Sequence, residues 1–410
     1  MARKYSLDKD KIKVLMLEGI HKSAIDFFNS SGYHNIETFP NALDDELLKE
    51  KIRSANIVGI RSRTHITEDV LKEAEKLLAI GCFSIGTNQV DGHAARLMGI
   101  PVFNAPFSNT RSVAELVIAE AILLMRNIPV KNAAAHKGKW LKSAANCFEI
   151  RDKNLGIVGY GHIGSQVSIL AEALGMNVYY YDIAKKLSLG KAVACSSLEE
   201  LLSVSQIVTL HVPETPLTRN MISEKEIALM RWGSCLVNAS RGSVVNIQAL
   251  TAALESGRLL GAALDVFPDE PASNNDPFVS ELQKYDNVLL SPHVGGSTVE
   301  AQHNIGTEVA EKLVRYSDTG STIGATNFVQ LSLQPNNNAQ RFLHIHKNEP
   351  GILREVNYVF TSRGINIAGE YLQTDSEIGY VIVDTESCLG SEIIEELKAI
   401  RGTIRVRMLF

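Results

Sequence analysis

The chain has 410 residues, of which 45% are apolar and 21% charged, and its formal net charge is −5. That composition fits a soluble globular protein and argues against a disordered or fibrous one, and without a basic surplus there is no electrostatic footprint for nucleic acid. A single core stops growing well below this length, so two or three domains are expected. The five cysteines, Cys82, Cys147, Cys195, Cys235 and Cys388, show no paired spacing. They suggest neither a zinc site nor a disulfide framework, and no other metal is expected; a reducing, cytoplasmic setting fits them. The segment from Met1 to Asp10 is too polar for a signal peptide. The longest apolar stretch, Leu116 to Met125, contains Glu120 and has half the length of a membrane span, so it reads as a buried helix.

Taken in order, the first third alternates β-rich runs with helical patterns. Ile12–Leu17 and Ile57–Ile60 read as strands, and Ser23–Ser30 and Thr67–Leu78 as helices, which predicts a parallel α/β sheet. No complete glycine fingerprint occurs there, so residues 1–108 are the natural substrate-binding domain. After the two prolines of Pro101-Val-Phe-Asn-Ala-Pro106, a periodic helix from about Ser112 to Arg126 reads as a crossing into a second domain. From Asn154 the alternation becomes regular. Leu155–Val158, Val178–Tyr181, Ile207–Val212, Leu236–Ala239, Ala262–Val266 and Val288–Leu290 are six predicted strands of a doubly wound, Rossmann-like sheet spanning 109–297. The helix from Thr298 to about Tyr316 is placed back with the first domain, in a segment 298–332, so that two crossings would form a hinge beside a cleft. Residues 333–340, with Asn336-Asn337-Asn338, read as a linker. Residues 341–410 then give βαββαβ, a ferredoxin-like plan.

The chemistry lies on the second domain. Gly159-Tyr-Gly161-His-Ile-Gly164 follows an apolar run and opens a helix, the context in which such a series binds a dinucleotide. Gly159 would allow the tight turn, Gly161 the approach of a pyrophosphate, and Gly164 close packing of helix on strand. Asp182, 18 residues beyond Gly164 at the end of a strand, would accept ribose hydroxyls and repel a 2′-phosphate, which predicts NAD over NADP. Reduction of a 2-keto acid needs a cation for the carboxylate and a proton donor at the carbonyl oxygen. Arg241, after Val237-Asn-Ala-Ser240, supplies the first with its bidentate fork. His293, closing Val288-Leu-Leu-Ser-Pro-His293, is the acid in reduction and the base in oxidation. Glu270 pairs with that imidazole, fixes its tautomer and raises its pKa. The other histidines, His21, His34, His65, His93, His136, His211 and His303, are expected on surfaces or in satisfied hydrogen bonds.

With these residues in place, the chain resembles the D-isomer-specific 2-hydroxyacid dehydrogenase family, in its bacterial form with a C-terminal ACT domain. The resemblance covers nearly the whole chain. It rests on Gly159-Tyr-Gly-His-Ile-Gly164, Asn238-Ala-Ser-Arg-Gly242, Asp265-Val-Phe-Pro268 and Ser291-Pro-His-Val-Gly-Gly-Ser297. It implies a flavodoxin-like substrate domain and Arg241, Glu270 and His293 as catalytic residues. It also implies cofactor contacts from His162, Ile163, Asp182, Ala239, Ser240, Arg241, Asp265, His293, Gly295 and Gly296. Arg61-Ser62-Arg63 matches the family's phosphate-contacting loop, and Gly86-Thr87-Asn88 the loop near the substrate carboxylate, with Arg241 serving substrate as well. The implied reaction is NAD-dependent oxidation of 3-phospho-D-glycerate to 3-phosphohydroxypyruvate, the first step of L-serine biosynthesis, with 2-oxoglutarate reduction as a second activity.

The ACT module implies an amino-acid effector. His346-Lys-Asn348 matches its first strand-to-helix loop and Gly364-Ile-Asn366 the start of its second strand, so L-serine feedback through His346, Asn348 and Asn366 is expected, the last reaching across from another subunit of a homotetramer. The asparagine-rich linker stands where related enzymes often carry glycines, which bears on hinge motion. Two rival readings are another D-2-hydroxyacid dehydrogenase, disfavoured by the ACT module and Arg61-Ser62-Arg63, and a non-catalytic NAD-sensing scaffold, which would bind NADH without turnover.

Overall fold

The computed structural model describes residues 8–271, 275–334, 340–386, 390 and 392–409. The chain divides into two compact units, one of residues 1–108 and 302–410 and the other of residues 109–301. Residues 335–339 of the expected linker, and Cys388, lie outside the described residues.

In the first unit, β1 (Val14–Met16), β2 (Ile36–Thr38), β3 (Ile57–Ile60), β4 (Ala79–Cys82) and β5 (Val102–Asn104) form a parallel sheet in the order β2-β1-β3-β4-β5. That is the flavodoxin-like order. The central strands are uninterrupted apolar runs because both faces are covered: every residue of β3 and β4 is buried. Helices start on side-chain caps that satisfy first-turn N–H groups. Asp44 accepts from Leu47 N at 2.9 Å, and Asp91 from Ala94 N at 2.9 Å. Within β4, Gly81 lets the helix Val299–Thr319 lie close, since a Cβ there would come within 2.7 Å of Leu313 and 2.9 Å of Val309.

The second unit carries β6 (Asn154–Val158), β7 (Asn177–Tyr181), β8 (Val193–Ala194), β9 (Ile207–Leu210), β10 (Ser234–Asn238), β11 (Leu259–Leu264) and β12 (Val288–Leu290), in the order β12-β11-β10-β9-β6-β7-β8. All the pairings are parallel. The six predicted strands are joined by a seventh, β8, an exposed two-residue edge strand too short to leave a periodic signal. The chain winds outward in opposite directions from β6 and β9, which makes their boundary the topological switch point where ligands bind in such sheets. The crossing helix spans Thr110–Met125 and is buried along the face bearing Val113, Val117, Ala121 and Leu124.

At the C-terminus, β13 (Gln340–Lys347), β14 (Ile367–Thr374), β15 (Ile378–Thr385) and β16 (Thr403–Leu409) form an antiparallel sheet in the order β14-β15-β13-β16, with helices at Ile352–Thr361 and Glu392–Ala399. One face packs Phe342, Val381 and Val383 against Val356, Phe360 and Leu397 of the helices. The other face sends Leu343, Ile345, Tyr380 and Ile382 into the core that holds Tyr316, Phe328 and Leu331 of the first unit. Strands β13 and β15 at the centre of the C-terminal sheet are therefore covered on both sides. Leu333, inside the expected linker, and Leu331 just before it are buried in that shared core. Arg341 locks the junction: its Nε and Nη2 donate to Asp384 at 2.7 and 2.8 Å, and its Nη1 donates to Thr319 O at 2.9 Å.

Candidate active site

The glycine series behaves as its spacing predicts. Gly159 leaves β6 with φ of +91°, and a Cβ there would lie 2.3 Å from His211 O. Gly164 packs helix on strand so tightly that a Cβ would sit 2.2 Å from Gly159 O. Gly161, the N-cap of the helix His162–Ala173, has no side-chain cap and faces open space, with nothing within 4 Å of an added Cβ. A backbone turn that opens a helix and leaves room in front of it is a cradle for a pyrophosphate, so the residues present fit a dinucleotide. Asp182 follows β7 and its carboxylate is already set in place: Oδ2 accepts from Tyr160 N at 2.9 Å and Oδ1 from Ala184 N at 2.8 Å. Each oxygen keeps lone pairs for ribose hydroxyls. Ile163 packs against the neighbouring core.

Three loops at the carboxyl ends of β10, β11 and β12 form the second half of the site. Asn238, the last residue of β10, orders the first: its Oδ1 accepts from Ser240 N at 3.1 Å and Ser240 Oγ at 2.8 Å, and its Nδ2 donates to Arg241 O at 2.9 Å. Ala239 packs into the core beneath. Gly242 has no room for a side chain, because a Cβ would lie 1.9 Å from Phe267 C. The Arg241 loop is thereby pressed onto the segment Asp265–Pro268. Asp265 is buried and organises the third loop, accepting from Ser291 Oγ at 2.6 Å, Val294 N at 2.8 Å and Gly295 N at 2.7 Å. Gly296 packs on Asn109, 2.4 Å from its Nδ2 to an added Cβ.

His293 stands on this loop in the left-handed region, at φ of +54°. A histidine adopts that conformation at a cost, and such strain collects at functional sites when the surroundings hold it. Here the holding is visible: His293 N donates to Ser291 O at 3.0 Å, and its Nδ1 meets Glu270 Oε2 at 2.8 Å. Glu270 is fixed in turn, its Oε1 accepting from Phe267 N at 3.1 Å. The hydrogen bond to Glu270 holds the His293 pKa above the usual histidine range, against burial and the nearby Arg241 charge. Partial burial opposes ionisation of Glu270, yet the hydrogen bond and charge of His293 outweigh it and keep that carboxyl below its ordinary range. Arg241, Glu270 and His293 are thus brought onto neighbouring loops of one sheet, with His293 Nδ1 engaged by Glu270.

In the first unit, the expected substrate residues fall on two loops. Arg61, Ser62 and Arg63 leave β3, and Gly86, Thr87 and Asn88 follow β4. Two residues absent from the sequence reading tie these loops down. The buried Glu18 carboxylate accepts from Arg61 N at 3.1 Å, Arg63 N at 2.9 Å and Thr64 N at 2.9 Å. Buried Gln89 donates from Nε2 to Arg61 O at 2.6 Å and to Gly86 O at 3.3 Å. A lone acid directly after the apolar run Val14–Leu17 is the only sequence signal for Glu18. His211 departs from expectation. It is half-buried, its Nε2 meets Thr209 Oγ1 at 3.0 Å, and its buried Nδ1 has no partner; burial pushes its pKa down to about 3. Glu120 is also buried, and burial, reinforced by the Asp265 charge, pushes its carboxyl up to about 8.

The expected effector residues are only partly united within one chain. His346, next to last in β13, pairs with Gly379, and Asn348 just beyond the strand donates from Nδ2 to Asp375 O at 2.5 Å. Asn366 precedes Ile367, which pairs with Thr385 at the other end of β15. Seven steps along a strand separate the two ends by roughly 24 Å.

Residues 118–295 match the NAD binding domain of the D-isomer specific 2-hydroxyacid dehydrogenases, and residues 342–405 match an AHAS small subunit-like ACT domain. The D-3-phosphoglycerate dehydrogenase of Escherichia coli K12 is 59% identical over 409 residues, covering 99% of this chain and 100% of that one. That of Haemophilus influenzae is 56% identical over 410 residues, covering all of both. Among solved structures, the D-lactate dehydrogenase from Aquifex aeolicus complexed with NAD and lactic acid aligns with a TM-score of 0.65 at 27% identity, over 74% of this chain and 95% of that one. No helix among the described residues is long and apolar enough to cross a membrane. Fold, site geometry and relatives together place the chain in the D-3-phosphoglycerate dehydrogenase branch of the D-isomer specific 2-hydroxyacid dehydrogenase family, as an NAD-dependent enzyme with a C-terminal ACT domain.

Proposed function

We propose that the protein oxidises 3-phospho-D-glycerate to 3-phosphohydroxypyruvate, the entry step of L-serine biosynthesis, and that L-serine restrains it through the ACT domain. The observation that carries the catalytic reading is the His293–Glu270 pair at 2.8 Å, beside a loop that presents Arg241. Residues 1–108 and 298–332 form the substrate-binding domain in this reading, 109–297 the cofactor domain and 341–410 the regulatory one. Arg61 and Arg63 supply cations for the phosphate, and the Gly86–Asn88 loop faces the carboxylate end. Arg241 grips the substrate carboxylate in bidentate fashion. His293 Nε2 takes the proton of the C2 hydroxyl while the C2–H bond breaks and the carbonyl forms; in reduction it returns that proton. Glu270 holds the imidazole in the tautomer that leaves Nε2 unprotonated and stabilises the imidazolium once formed. Bound NAD supplies the acceptor for the hydride that leaves C2, and Gly161, His162, Ile163, Asp182, Ala239, Ser240, Asp265, Gly295 and Gly296 would hold it.

The effector reading draws support from the edge strand. β14 is mostly exposed and lies at the margin of its sheet. Antiparallel pairing of two such edges about a twofold axis would bring Asn366 of a second copy beside the Thr374 end of β14, next to Asn348. That register would let a serine be held by His346 and Asn348 of one copy and Asn366 of the next, and the twofold pairing makes the assembly even-numbered, proposed here as a homotetramer. Among the described residues Cys82, Cys147, Cys195 and Cys235 are free thiols, which suits the cytoplasm.

Replacement of His293 by Ala tests the catalytic part. Turnover with NADH and 3-phosphohydroxypyruvate should fall by about 10²–10⁴-fold, the range for a lost general acid, while NADH binding stays near normal. Unchanged turnover would remove His293 from the reaction. Serine titration of the intact enzyme tests the regulatory part, and activity indifferent to millimolar serine would discard it.

A further inference from the structure

The turn between β14 and β15 is gripped from two sides. On one side stands Asn348, whose Nδ2 donates to Asp375 O at 2.5 Å and whose backbone N donates to Glu377 O at 2.9 Å. The turn is closed on itself by Asp375 Oδ1, which accepts from Glu377 N at 2.8 Å and Ile378 N at 3.0 Å. On the other side stands Arg96, in the short helix Gly92–Leu97 of the same unit. Its Nη1 lies 3.4 Å from Asp375 Oδ2 and its Nη2 pairs with Glu377 Oε2. His93, one turn earlier on that helix, places Nδ1 3.7 Å from the same Glu377 oxygen.

That helix is an extension of the substrate loops. Asp91 caps it, and Asp91 N donates to Ile66 O at 2.9 Å while Ile66 N donates to Gln89 O at 2.8 Å. Gln89 in turn bonds Arg61 O and Gly86 O. A displacement of Arg96 therefore reaches both loops through the Asp91–Ile66–Gln89 backbone hydrogen bonds and the Gln89 side chain, without passing along residues 335–339. Exposed ion pairs contribute little to stability, but this one is not an isolated exposed pair. The Arg96 side chain is only 23% exposed, its Nε is buried with no acceptor, and two carboxylates converge on one always-charged fork. Loss of either partner would strand a half-buried charge.

We propose that Arg96 is a positioning residue for the substrate loops, and that its ion pairs with Asp375 and Glu377 couple the Asn348 turn to Gly86–Asn88. The coupling half of this inference rests on serine binding at His346 and Asn348; the positioning half does not. A ligand at Asn348 that shifts the turn would move the Asp375 and Glu377 carboxylates, and Arg96 with them, so that the effector acts on the substrate loops of its own chain.

The test uses the full-length enzyme, comparing Arg96→Ala, Glu377→Gln and the charge swap Arg96→Glu with Glu377→Arg, each checked for an intact thermal transition. In Arg96→Ala, KM for 3-phosphohydroxypyruvate should change more than kcat, serine should bind with near wild-type affinity by calorimetry, and half-inhibition should need about fivefold more serine or beyond, the scale of an ordinary coupling between sites. Glu377→Gln should follow in the same direction, and the charge swap should restore both KM and inhibition. Should wild type neither bind nor respond to serine, the regulatory reading falls, and the positioning role is judged on KM alone: raised by Arg96→Ala and rescued by the swap, it stands; unmoved, it is overturned. Serine inhibition and KM equal to wild type in a folded Arg96→Ala enzyme would overturn the proposal outright, as would a folded charge swap that rescues neither.

Discussion

Glu270→Gln isolates the part of the site that prepares His293. The substitution keeps the shape of the side chain and removes its charge. In the native site Glu270 Oε2 meets Nδ1 at 2.8 Å, while its Oε1 is anchored by Phe267 N at 3.1 Å, so the amide would occupy the same place. Two effects then separate. The pair is half-exposed, with side-chain accessibilities of 52% and 36%, so its worth to stability is about 0–1 kcal/mol. Its sign follows from the raised His293 pKa: the stabilisation is fully present below the ordinary histidine range and is lost as pH rises through the raised value. The catalytic effect is larger. A Gln side chain no longer stabilises the imidazolium and selects its tautomer only weakly, which should forfeit much of a general acid–base contribution of about 10²–10⁴-fold. In the proposed mechanism reduction needs protonated His293, so its rate falls as pH rises through that pKa, whereas oxidation needs the neutral ring and rises there. In Glu270→Gln both limbs should move to lower pH, toward an ordinary histidine. The assay is kcat/KM in both directions across pH 5 to 10 at fixed ionic strength. A variant with the wild-type pH profile and turnover would refute the assignment of Glu270.

Other consequences follow from single residues. Asp182→Ala removes acceptors for the ribose and also releases Tyr160 N and Ala184 N, so NADH binding should weaken and discrimination against NADPH relax; negligible NADPH use in the variant would disprove the role of Asp182. Arg341→Ala leaves the Asp384 carboxylate buried beside Thr319 O and without its bidentate partner, which should destabilise the first unit by about 3–5 kcal/mol in a denaturant titration; a loss below 1 kcal/mol would contradict that. Glu120, pushed up to about 8, stays neutral in the native state after the unfolded chain has ionised, so its neutral form favours folding fully below the ordinary carboxylate range and that advantage is lost as pH rises to about 8. Glu120→Gln should flatten the stability curve between pH 5 and 8 and raise the unfolding free energy most at alkaline pH, by an amount on the order of a few kcal/mol; curves that run parallel for wild type and variant would exclude it.

Local signals carried the reading of the cofactor domain far. Gly159 and Gly164 are constrained by contacts a few residues away in sequence or on the adjoining strand, and Gly161 keeps open space before its helix, so the spacing of the three can be read locally. The ends of β10, β11 and β12 were legible for a similar reason, as apolar runs stop at Asn238, Asp265 and His293. What stayed hidden depends on distant partners. Glu18 and Gln89 organise loops 43 and 28 residues away, and nothing in their own neighbourhoods shows which N–H or carbonyl they serve. The left-handed backbone of His293 is set by the Ser291 and Glu270 contacts and leaves no trace in residue type. The burial of both faces of β13 and β15 was equally invisible, because Leu343 and Ile345 look like the inner face of a one-sided strand until Tyr316 and Phe328 are seen to cover them. The unpartnered, buried Nδ1 of His211 likewise has no signal in its own neighbourhood.

The most direct test of the account is the initial rate of NADH oxidation by the wild-type enzyme with 3-phosphohydroxypyruvate, set beside hydroxypyruvate and 2-oxoglutarate under the same conditions. The phosphorylated keto acid should have by far the highest kcat/KM, with the preference over hydroxypyruvate collapsing in Arg61→Ala. Turnover that ignores the phosphate, or none on any of the three while NADH still binds, would contradict the assignment.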